Sequence, residues 1–155
     1  MKPKRACISL SERDDLIRVL KETISALQDT DASRVKEISN HITHCASIFQ
    51  TAETIKTAVI IYSLSKILER GHGIDKGLVD ILEQGKEAVE EGRMEDYRKK
   101  LDELFKKASE IDQQLNLYAE QVINDAQVKK GSKIYQHGVS LRQTASMLGI
   151  SLWDL

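Results

Sequence analysis

The sequence predicts an all-α fold, a helical bundle with one long heptad-patterned helix and a small C-terminal segment. Two observations carry this. Apolar residues recur at threes and fours over most of the chain, and the single proline, Pro3, leaves every helical pattern uninterrupted. The clearest pattern runs from Met94 to about Val128: Met94, Tyr97, Leu101, Leu104, Ala108, Ile111, Leu115, Tyr118 and Val122. This is a seam with a period of about 3.5 residues. A single rod of that length would span roughly 50 Å and needs partner helices to cover its apolar edge. The expected division is a bundle over residues 1–130 and a C-terminal segment over 131–155.

Residues 1–8 read as a basic tail. Ser9 or Ser11 is the expected cap of a first helix whose apolar face is Leu16, Ile17, Leu20, Ile24 and Leu27. Gln28–Asp31 closes it, and Asp31 or Ser33 can cap a second helix with the seam Val35, Ile38, Ile42, Cys45, Phe49 and Ala52. The pattern stumbles over Thr51–Thr54, as a kink or a short break would make it. From Thr57 to Arg70 apolar residues go nearly all round, so this helix should be the most buried. Gly71-His72-Gly73 ends it, and Asp75 can cap a shorter helix carrying Leu78, Val79, Ile81, Leu82, Ala88 and Val89. Glu91-Gly92-Arg93 is the expected hinge into the long helix, and Lys129–Lys133 its end.

Composition narrows function. Hydrophobic residues make up 41% and charged residues 30%, which suits a folded helical domain, and a formal net charge of −1 gives no global basic excess for phosphate. Nucleic-acid binding would need a local patch. Cys7 and Cys45 are too few for a disulfide framework and fit a reducing compartment. No signal peptide, long apolar run or cofactor motif is apparent, so the expectation is a cytoplasmic protein without membrane span or cofactor.

The last sixteen residues, SLRQTASMLGISLWDL, are the most specific motif. Ala145 is small enough for two helices to cross closely, Gly149 suits the turn between them, and Ser140 and Ser151 suit their caps. Leu141, Leu148, Ile150 and Leu155 would form a small core. The segment resembles helix-turn-helix regulators and the small antitoxin-like proteins found beside nuclease toxins. The resemblance implies duplex binding, with Ser151 at the groove and Arg142, Gln143, Lys129, Lys130 and Lys133 on phosphates. Leu152 and Trp153 would instead serve packing or contact with a partner protein. A homodimer would pair two such modules.

A second constellation lies on the second helix: Arg34, Ser39, Asn40, His41, His44 and Cys45. Helical spacing stacks His41 over Cys45 with His44 one turn from His41. Imidazole and thiolate at that spacing can share a metal, although His41, His44 and Cys45 supply three ligands at most, and a hydrogen-bonded polar strip is the simpler expectation. Arg34 and His41, two turns apart, also resemble the arginine-then-histidine motif of the HEPN ribonucleases, themselves helical bundles. That resemblance implies His41 as acid or base on a ribose 2′-hydroxyl and Arg34 on the phosphate, without metal. The leading expectation is a non-enzymatic regulatory or interaction protein that touches nucleic acid through its C-terminal segment. The alternatives are a HEPN-type ribonuclease and a purely protein-binding scaffold.

Overall fold

A computed structural model describes residues 4–114, 117, 118 and 120–122, with side chains from residue 12 onward. The fold is an all-α bundle of α1 (Lys4–Gln28), α2 (Ala32–Phe49), α3 (Ala52–Glu69), α4 (Lys76–Glu90) and α5 (Met94–Ile111). The helices close a ring: α1 packs on α2 and α4, α2 on α3, α3 on α5, and α5 on α4. None of the described helices is long and apolar enough to cross a membrane.

Local chemistry sets most boundaries. Asp31, Thr51 and Asp75 each accept a hydrogen bond from the backbone N–H three residues on, capping α2, α3 and α4. The stumble before α3 is a full break. Gln50 adopts the left-handed region (φ 55°) and returns its N–H to Ala46. Gly71 (φ 83°) and Gly92 (φ 76°) make the turns after α3 and α4, where a side chain would be strained. Three boundaries differ from expectation. Helix α5 ends early, and α3 begins at Ala52 rather than Thr57, which moves Ala52 out of the second helix. The third is the start of α1. Helix α1 begins at Lys4, so Ser9 and Ser11 lie inside it rather than at its cap. No glycine or proline stands between Lys4 and Gln28 to stop the helix reaching back.

The core is aliphatic, and its faces are those that the spacing selected. Leu16, Leu20, Ile24 and Leu27 of α1 meet Val35, Ile38, Ile42 and Cys45 of α2 within it, and α3 is buried almost all round. Polar groups lock the helices together. Glu12 accepts hydrogen bonds from Thr51 and Thr54 at the start of α3, and Arg13 donates to the last carbonyls of α4, Val89 and Glu90. Tyr97 lies fully buried, with its hydroxyl 2.6 Å from Thr57 Oγ1. Its ring passes so close to α4 that a Cβ on Gly85 would sit 3.3 Å from it, which explains a glycine in mid-helix.

The single long rod from Met94 to Val128 does not form. Helix α5 ends at Ile111, Asp112 is extended (φ −137°, ψ 113°), and helical geometry resumes at residues 117, 118 and 120–122. The reason is both local and tertiary. Asp112 accepts the Gln114 N–H through its own carboxylate, a turn that competes with the helix. The same carboxylate also receives Arg70 and the Tyr118 hydroxyl. The bend brings Tyr118 edge-on to Tyr62 of α3, with ring centroids 5.6 Å apart, and Tyr118 and Val122 join the core. At 18 residues, α2 and α3 are each about 27 Å long, so a 50 Å rod would have carried half its seam past them into water.

Candidate functional site

The described residues bring one chemically mixed cluster together, on the facing surfaces of α1 and α2. The α1–α2 turn, with Thr30 in the left-handed region and Asp31 capping α2, folds the second helix back along the first. Asp15 and Arg18 are one turn apart on α1, and His41 and Cys45 one turn apart on α2. Cys45 Sγ lies 3.5 Å from Asp15 Oδ2 and 3.6 Å from His41 Nε2. Arg18 Nη2 is 2.9 Å from Asp15 Oδ1 and 3.2 Å from His41 Nε2. Cys45 is buried, Asp15 half-buried, and His41 and Arg18 exposed, so the cluster opens to solvent on its imidazole side.

The electrostatics here set the state of the thiol. Burial, then the adjacent Asp15 charge and the hydrogen bond to it, push the Cys45 thiol up to about 12, and Arg18 offsets only part of this. At neutral pH Cys45 is therefore a protonated donor to Asp15, not a free thiolate. Because a guanidinium can only donate, its contact with His41 Nε2 is a hydrogen bond when that nitrogen carries its lone pair.

Sequence-singled residues fare unevenly. His41 and Cys45 do meet, but the set His41, His44, Cys45 is not assembled. His44 is exposed, and Asp15 from α1 takes the third place. Arg34 is held by Asp29 at 3.2 Å, and with His41 it lines an open groove of about 330 Å³ that Glu22, Glu37 and Ile38 complete. The polar strip is not uniformly satisfied. Thr43 donates to the Ser39 carbonyl, whereas the buried Ser39 hydroxyl has no partner among the described residues. Sequence reasoning missed Asp15 and Arg18 because their role depends on which face of α1 meets α2. Their only local signal is the i, i+3 acid–base spacing. Lys129, Lys130, Lys133, Arg142, Gln143, Ser151, Leu152 and Trp153 lie outside the described residues.

No protein-family model matches this chain, and no curated protein or solved structure matches it.

Proposed function

We propose that this chain is a non-enzymatic regulatory or interaction protein whose C-terminal segment contacts nucleic acid. The non-enzymatic part has one limited support in the placement of Cys45. It is the one buried thiol among the described side chains and donates to Asp15, which argues against Cys45 itself as a nucleophile. Two grooves between described helices are open and carry several charged side chains, Glu12, Arg13, Glu53 and Arg98 in one and Glu87, Arg93, Asp96 and Lys100 in the other. Small-molecule sites are typically enclosed and apolar with a few placed polar groups. The nucleic-acid part rests on the helix-turn-helix-like sequence and the Lys129–Lys133 cluster beside it.

A gel shift on duplex DNA across a salt series tests this reading. Binding should weaken steeply with salt and vanish when Arg142→Ala is combined with neutralised Lys129, Lys130 and Lys133. Binding that survives those changes, or no binding at low salt, overturns it.

A second reading has its own support. Arg34 and His41 open into one groove, as a metal-independent HEPN-type ribonuclease would require. It predicts RNA cleavage in chelator that His41→Ala abolishes and Arg34→Ala cuts at least tenfold.

A further inference from the structure

From the convergence of Asp15, His41 and Cys45 between α1 and α2, we propose a binding site for a borderline-soft divalent cation, zinc above all. The donor set is one carboxylate oxygen, one imidazole nitrogen and one sulfur, the mixture that zinc accepts and that magnesium or calcium does not. The three donor atoms lie within 4.8 Å of one another. With Zn–S about 2.3 Å and Zn–N or Zn–O about 2.0–2.1 Å, the sulfur edges of a tetrahedron are about 3.5 Å long. The two sulfur edges found are 3.5 Å to Asp15 and 3.6 Å to His41, so Cys45 already stands at a ligand's distance from both partners.

A second observation points the same way. The cluster already holds a cation: the Arg18 guanidinium is seated against Asp15 and His41 Nε2, where lone pairs converge. Arg18 is more than half exposed and reaches the site from solvent, so it can leave by rotating its own side chain. Zinc would enter from the same side, take the lone pairs of Asp15 and His41, and displace the Cys45 thiol proton to solvent as the sulfur becomes a thiolate ligand. The fourth position faces water. Such a site joins the first helix to the second across the bundle surface, and it does not depend on the nucleic-acid reading above.

The test is titration of the metal-free full chain with Zn²⁺ and with Co²⁺, read by calorimetry and by absorption. One equivalent should bind, the cobalt form should show the near-ultraviolet charge-transfer band of a Co–thiolate bond, and zinc should raise Tm. Cys45→Ser should remove the band. His41→Ala and Asp15→Asn should each weaken affinity by about tenfold or more. Arg18→Gln should strengthen it, because the competing cation is gone, whereas His44→Ala and Cys7→Ser should leave it unchanged. Circular dichroism of each variant separates lost binding from lost folding, and the Arg18→Gln gain cannot arise from unfolding. A band that survives Cys45→Ser, affinity that falls with His44→Ala or Cys7→Ser, or no stoichiometric binding overturns the proposal.

Discussion

Asp112 receives the Tyr118 hydroxyl, the Gln114 N–H and the Arg70 guanidinium on one nearly buried carboxylate. Burial pushes this carboxyl upward, but the Tyr118 and Gln114 hydrogen bonds and the Arg70 charge outweigh it, and the net shift is downward. A carboxylate depressed in the folded state adds stability in full above its unfolded pKa and loses it as pH falls through the folded one. Asp112→Asn should therefore cost about 1–3 kcal/mol at neutral pH, in the range for hydrogen bonds to a charged group. The gap from the parent chain should begin to narrow as pH drops below the ordinary carboxylate range and go on narrowing toward the depressed folded pKa; urea melts in a series from pH 7 downward read the trend. The opposite sign is expected at Ser39. Its buried hydroxyl lacks a partner among the described residues, so Ser39→Ala should leave stability unchanged or raise it by up to about 1 kcal/mol, measured by the urea midpoint.

At the scale of the helix, the α2–α3 junction shows how a break is built without glycine. Gln50 takes a left-handed conformation, donates its N–H to Ala46, and sends its side chain back to the Ser47 carbonyl. That conformation is strained for a residue with a Cβ. Gln50→Gly should stabilise the chain by about 0.5–1 kcal/mol, seen as a rise in Tm. The α5 break is of another kind. Its residues are compatible with a helix, and an Asp-centred turn wins because the bend places Tyr118 against Tyr62 and Arg70.

For the whole molecule, most of the apolar edge expected beyond residue 93 is buried within the chain among the described residues. Leu101, Leu104, Ala108, Tyr118 and Val122 are all buried in the same core as α1–α4. These five side chains are therefore not free to pair with a second copy while the fold is intact. Leu104→Ala should therefore destabilise the fold by about 2–5 kcal/mol, with a Tm shift independent of protein concentration. A shift that shrinks as concentration rises would mean that the seam pairs two copies.

The sequence by itself determined the helices and their inner faces. Capping residues such as Asp31 and Asp75, the glycines at 71 and 92, and the threes-and-fours spacing act within a few residues of themselves, so they are readable without coordinates. It named His41 and Cys45, neighbours on one helix. What the tertiary structure decided was the bend at Asp112 and the arrival of Asp15 and Arg18 in place of His44. The second depends wholly, and the first in part, on the rotation and register of one helix against another, which the packing of the entire core sets and no local spacing encodes.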